Sequence, residues 1–205
     1  GTATDVGTDR AFNDGAAVVT FTQSPIGFEA TSYTVTSSPG GYTASGASSP
    51  LTVTGLQSNT AYTFTATATN FVGTSTASSA SNSITATTVP QAPTIGTPTL
   101  ATGQAYTGSA NIGVVFTAGA TGGKSITTFT ATSSSTTVVS GATSPITISE
   151  TIGISRNYTV TATNAGGTSS ASSASSSVTT PKATGGTFVS SGGYTYHVFS
   201  SSGTF

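Results

Sequence analysis

The chain has no cysteine, no methionine, no tryptophan, a single histidine, and nine charged side chains among 205 residues. Without cysteine there are no disulfide staples and no thiolate to hold a metal or attack a substrate, so each folded unit must stand on its hydrophobic core alone. Charged residues make up 4% of the chain against about 25% in ordinary domains. That excludes long helices with charged faces, a basic nucleic-acid footprint and a membrane-surface helix. No apolar run approaches the roughly 18 residues that a membrane-crossing helix needs. No signal peptide opens the chain, and Gly1 in place of an initiator methionine implies a piece of something longer.

Hydroxyl groups dominate what is there: serine and threonine make up 81 of the 205 residues, more than all hydrophobic types together. The length allows two domains of ordinary size, all-β or disordered. Runs such as Ala77–Ser81 and Ala171–Ser177 have the composition of low-complexity linkers. Disorder, however, favours high net charge and few aromatics. This chain has a net charge of −1, ten Phe and seven Tyr, set in runs that alternate apolar residues with threonine. The body is therefore expected to fold, while residues 181–205 carry a weaker folding signal.

Internal repetition sets the organisation. Val19-Thr20-Phe21-Thr22 recurs as Val114-Val115-Phe116-Thr117, and Ser49-Pro50-Leu51-Thr52-Val53 as Ser144-Pro145-Ile146-Thr147-Ile148, both 95 residues on. The stretch from Ser78 to Thr85 recurs from Ser172 to Thr179, 94 residues on. A period this long is a whole domain, which divides the chain into a first domain at 1–89, a second at 90–180 and a terminal segment at 181–205. The joint Val89-Pro90-Gln91-Ala92-Pro93 has two prolines in five residues and few accessible conformations.

Within a repeat, Tyr62, Phe64, Ala66, Ala68 and Asn70 alternate with Thr63, Thr65, Thr67 and Thr69, one apolar row inward and one hydroxyl row outward. Short strands are also predicted at Ala17–Thr22, Ser32–Ser37, Leu51–Thr54 and Ala77–Thr87, separated by Gly, Pro, Asn and Ser clusters. Six or seven strands in about 90 residues predict an antiparallel β-sandwich. The fold class expected is all-β: two tandem sandwiches followed by a β-hairpin segment.

The stretch from Gly55 through Leu56 and Tyr62 to Gly73 resembles the E–F corner and F strand of a fibronectin type III domain. The resemblance extends over most of residues 1–180. It implies that Leu56 and Tyr62 form a tyrosine corner, the phenol bonding back to the backbone. Phe21 and Phe116 stand where that family carries a tryptophan, and Arg156 stands where alignment from Asn164 places the second repeat's tyrosine, so Tyr158 is expected to take over the corner. The last segment, Gly185 to Phe205, resembles the start of glycine-rich domains of bacteriophage tail-fibre and virion proteins. It reads as two strands, Thr187–Ser190 and Tyr194–Phe199, joined by a Ser-Gly-Gly turn.

Catalytic chemistry finds little material. His197 lies far along the chain from every acid, so no Ser-His-Asp arrangement is expected, and Glu29 and Glu150, the pair a glycosidase would need, sit in different repeats. Asp5, Asp9 and Asp14 with Asn13 fall within ten residues but match no EF-hand spacing, and Asn13-Asp14-Gly15 is explained as a turn. Asn157-Tyr158-Thr159 fits a glycosylation acceptor pattern but falls in a predicted strand. No catalytic residue, cofactor or metal is assigned. Phe28, Tyr33, Tyr42, Phe71 and Tyr106 are the loop or edge aromatics from which a carbohydrate platform could be built. Tyr33 matches Phe129 and reads as core, while Phe71, with Ala165 at its place in the second repeat, reads either as a binding residue or as local packing.

Together these readings lead us to expect a non-enzymatic virion structural protein, a bacteriophage fibre or capsid or tail decoration on the extracellular virion surface. It would act as a rigid spacer with weak host-surface adhesion. The alternative is a bacterial cell-surface adhesin that binds glycan. The expected partners are other virion structural proteins, host-surface glycan and a further copy of the chain through the terminal segment, with no nucleic acid and no membrane span.

Overall fold

The computed structural model describes residues 1–23, 28–103, 108–181, 187–191 and 194–198, with the backbone alone for 187–197. Among the described residues there is no helix, and so none long and apolar enough to cross a membrane. The chain forms two compact units. The first comprises Gly1–Gln91, Ala120–Ile126 and Thr163–Ser169, and the second Ala92–Gly119, Thr127–Ala162 and Ser170–Phe205.

Within Gly1–Gln91 of the first unit the strands are β1 (Thr2–Asp5), β2 (Gly15–Thr20), β3 (Ser32–Ser38), β4 (Thr43–Gly46), β5 (Leu51–Leu56), β6 (Ala61–Asn70), β7 (Gly73–Thr74) and β8 (Ile84–Thr85). One sheet runs β1-β2-β5, the other β4-β3-β6-β7, with β8 also on β6, and every described pairing is antiparallel. The alternation in the sequence is the reason: Ala17, Val19 and Val53 of the first sheet meet Val35, Tyr62 and Phe64 of the second in one core. Asn164 is buried within this unit, its amide donating to Thr88 O (3.0 Å) and Thr121 O (2.8 Å).

The remaining strands are β9 (Thr94–Ile95), β10 (Thr99–Leu100), β11 (Ser109–Val114), β12 (Phe116–Thr117), β13 (Ile126–Ser133), β14 (Val138–Gly141), β15 (Ile146–Thr151), β16 (Ser155–Arg156), β17 (Tyr158–Asn164), β18 (Gly167–Thr168) and β19 (Val178–Thr179). They form sheets β10-β11-β15 and β14-β13-β17-β18 and the pairs β9-β12 and β16-β19. Ile112, Val114, Ile148, Phe129, Ala131 and Val160 are buried among them. In place of a tryptophan, Phe116 packs on Phe129 with ring centroids 4.8 Å apart, as Phe21 packs on Tyr33 at 5.1 Å. Strands β20 (Thr187–Ser191) and β21 (Tyr194–Val198) pair with each other, Thr187 opposite Val198 and Ser191 opposite Tyr194, as the expected terminal hairpin.

The strand expected over Ala77–Thr87 is reduced to β8. What replaces it is a ladder of serine hydroxyls. Phe64, Ala66 and Ala68 donate their N–H groups to Ser81, Ser78 and Ser75 Oγ, each at 3.0 Å, and accept through their carbonyls from the N–H of the same serines at 2.8–2.9 Å. Each hydroxyl then donates to the next carbonyl, of Asn82, Ser79 and Thr76 respectively. Asn82 completes the edge on the other sheet, accepting from Ala3 N at 2.8 Å and donating to Ala3 O at 3.0 Å. In the second unit Ser172 and Ser175 bind Val160 and Tyr158 in the same two-way manner. Serine and alanine are weak strand formers, and a serine Oγ competes with backbone carbonyls for N–H groups. A serine at every third residue therefore satisfies alternate residues of β6 without a strand.

The corner forms in the first unit. Tyr62 is buried and its phenol oxygen accepts from Gln57 N at 3.0 Å, beside the buried Leu56. Tyr42 stands over Gly55 and meets Tyr62 edge to face at 6.1 Å. Tyr158 does not take over this role. Its N–H bonds Ser175 Oγ as that of Phe64 bonds Ser81 Oγ, so it occupies the place of Phe64, and its hydroxyl has no hydrogen-bond partner. Arg156 then stands at the place of Tyr62, Glu150 at that of Gly55 and Thr137 at that of Tyr42. An edge-to-face aromatic pair over a glycine is exchanged for a threonine, a carboxylate and a guanidinium.

Candidate binding site

Of the acids that suggested chemistry, Asp5, Asp14 and Glu150 are engaged structurally, while Asp9 and Glu29 are exposed. Asp5 accepts from Thr87 N at 3.0 Å and from its hydroxyl, and Asp14 pairs with Arg10 at 2.9 Å. Asn13 has φ 62° and exchanges two hydrogen bonds with Ser58, which makes the Asn13-Asp14-Gly15 stretch a turn. Among the described residues no three His, Asp or Glu side chains come together as a metal site. In the second unit Glu150 is 4% exposed; it accepts from Ser135 Oγ at 3.1 Å and lies 3.6 Å from Arg156 Nε, too far for a hydrogen bond. Burial, followed by the nearby Glu150 carboxylate, pushes the Tyr158 phenol up to about 12, with Arg156 opposing.

The first unit has a groove at the β6–β7 end. Asn70 builds it. Its Oδ1 accepts from Val72 N (2.9 Å) and Gly73 N (3.2 Å), closing the turn that carries Phe71, and its Nδ2 donates to Phe28 O (3.2 Å) across 42 residues of sequence. The two phenyl rings so placed meet edge to face, centroids 4.8 Å apart. Phe28 is 67% exposed, Phe71 77% and Val72 68%, so this is a surface patch. Beside it lies a cavity of about 530 Å³ lined by Phe28, Tyr33, Ala68, Asn70, Val72 and Ser75 among others, within the roughly 300–1,000 Å³ range of small-molecule clefts. Thr69 and Thr74 on its wall share one hydroxyl–hydroxyl bond of 3.0 Å, which leaves a second O–H available.

Of the aromatics singled out in the sequence, Phe28 and Phe71 come together, Tyr33 is 8% exposed and closes the groove floor, and Tyr42 belongs to the corner. Tyr106 lies outside the described residues, as does any account of the side chain of His197. The contribution of Asn70 and Val72 was missed. An asparagine followed two and three residues later by a valine and a glycine is the available signal, since its side chain can cap that turn.

The sheets define the class: this is an all-β chain of tandem immunoglobulin-like antiparallel sandwiches. Among solved structures it is similar to domains FN1–FN3 of chicken CNTN1, 18% identical over 88% of this chain and 68% of that one, with a TM-score of 0.42. It is also similar to a three-domain fragment of titin, 16% identical over 89% of this chain and 60% of that one, with a TM-score of 0.41. The chain thus spans about three fifths of the titin fragment. No protein-family model matches the chain, and no curated protein does.

Proposed function

We propose that this protein is a non-catalytic structural component of a bacteriophage particle, a fibre or a capsid or tail decoration on the virion surface, in which the sandwiches act as a rigid spacer with weak host-surface adhesion. The observation that carries this reading is the outer surface. Exposed cross-strand hydroxyl pairs, Thr34 with Ser45 (2.8 Å), Thr130 with Ser140 (2.9 Å) and Thr163 with Thr168 (2.8 Å), stitch the sheets where other proteins place ion pairs. A surface held by neutral pairs keeps its shape at any ionic strength, as a particle outside a cell requires. The resemblance of Gly185 to Phe205 to virion glycine-rich domains directs the reading to phage. Its partners are then other virion proteins, with self-association through β20–β21, a two-stranded sheet whose edges pair with no other described strand.

A bacterial cell-surface adhesin that binds glycan is the second reading, favoured by the exposed Phe28–Phe71 pair. Gold-labelled antibody against this protein, imaged on purified particles and on fractionated cells, separates the two. Label along capsid or tail supports the virion component. Label on the cell envelope with none on particles overturns it in favour of the adhesin.

A further inference from the structure

The groove beside Phe28 does not end at Tyr33. A second cavity of about 280 Å³ adjoins it, sharing Tyr33, Ala68 and Ser75 in its walls and continuing past Ala66 and Phe21 to Ser78. The two together form a cleft that follows β6 along its serine ladder, with Phe28 at one end and Phe21 at the other.

We propose that this cleft binds a neutral carbohydrate chain, the two cavities taking neighbouring sugar units; the inference rests on the adhesive part of the function proposed above. Three features of the walls select this occupant. No side chain lining either cavity is an acid or a base, and Glu29, between two lining residues in sequence, is exposed outside them. A charged ligand in the first cavity would lose hydration and gain no counter-charge, and in the second the one charged group at the wall is the amino group of Gly1. Aromatic rings at Phe21, Tyr33 and Phe28 line the cleft with the Thr69–Thr74 hydroxyl pair, which keeps one free O–H, while Ser75 and Ser78, their O–H groups spent on carbonyls, offer only a remaining acceptor lone pair each; a sugar presents a matching alternation of apolar C–H faces and hydroxyls. The exposed apolar patch is three residues, Phe28, Phe71 and Val72, far short of the roughly 20–30 residues a side that a stable protein interface uses. A single groove of this kind binds weakly and gains strength from many copies on one particle.

The test is titration of the isotope-labelled full chain with a panel of neutral linear oligosaccharides, glucans and chitin fragments at millimolar concentration, read by amide chemical shifts, with hyaluronan fragments as the anionic counterpart. The expected result is saturable shifts at Ala66, Ala68 and Asn70–Ser75 with a neutral member of the panel and none with hyaluronan. Phe28→Ala removes a wall of the cleft and Phe71→Ala the ring that holds Phe28 in place; both, at exposed positions that leave the core intact, should weaken that binding by at least about fivefold. Three results overturn the proposal: no neutral sugar shifts these amides, hyaluronan shifts them equally, or they shift with protein concentration alone, which would make a second copy the occupant. Particle labelling with a silent sugar panel would leave the virion reading standing and remove only the groove.

Discussion

Tyr158 shows how one side chain inherits a place without its partner. It sits where the first repeat has Phe64, and its hydroxyl is buried without a hydrogen bond. A buried unsatisfied hydroxyl destabilises, so Tyr158→Phe should raise stability at neutral pH by about 1 kcal/mol, or roughly 4–8 °C in melting temperature for a domain of this size. The same residue sets an alkaline limit. Its phenol is raised from 10.0 to about 12, so below the unfolded value both states keep the proton and nothing is lost. Above it the unfolded chain deprotonates while the folded one does not. Stability should therefore fall as the pH rises from about 10 to about 12. Thermal melts of the parent and of Tyr158→Phe across that range check both statements: the variant should melt higher at pH 7 and show a shallower alkaline loss. A variant melting at or below the parent at neutral pH would sink the account.

At the scale of elements, the period-two strands were legible because alternation is a local property of each segment, and β3, β5 and β6 lie within one or two residues of their expected bounds. The serine ladder was not. Ala77–Thr87 looked like a strand because it is small, polar and repeated, but its hydrogen-bonding groups are side-chain oxygens, and only the neighbouring strand reveals which serines they belong to. Ser172 gives the sharpest test, since it is buried and accepts from the buried Val160 N–H, whereas Ser173 is exposed. Ser172→Ala should destabilise by about 1–3 kcal/mol and Ser173→Ala by less than about 0.5 kcal/mol in chemical denaturation. Equal effects would mean that the hydroxyl is not the bonding group. The groove was half legible: Phe71 stood out as an aromatic without a counterpart in the second repeat, but its pairing with Phe28 depends on the Asn70 amide that reaches across the loops.

For the whole molecule, electrostatics has little to act on. The described salt bridges are Arg10–Asp14 and Arg156–Glu150, the first on the surface and the second with a buried carboxylate. Surface pairs contribute at most about 1 kcal/mol, so the melting temperature between about 0.02 and 0.5 M NaCl should move by less than roughly 2 °C. A larger shift measured by calorimetry would show that charges matter to this fold after all. The sequence by itself determined the all-β class and the duplication, because strand alternation and a 94–95-residue repeat are written along the chain and need no partner to be read. Tertiary structure alone decided the rest. The exchange of Tyr42, Gly55 and Tyr62 for Thr137, Glu150 and Arg156, the serine ladder and the groove each depend on side chains brought together from separate segments. Local patterning carries no record of those meetings, because close packing and hydrogen-bond satisfaction are settled only when the sheets close on one another.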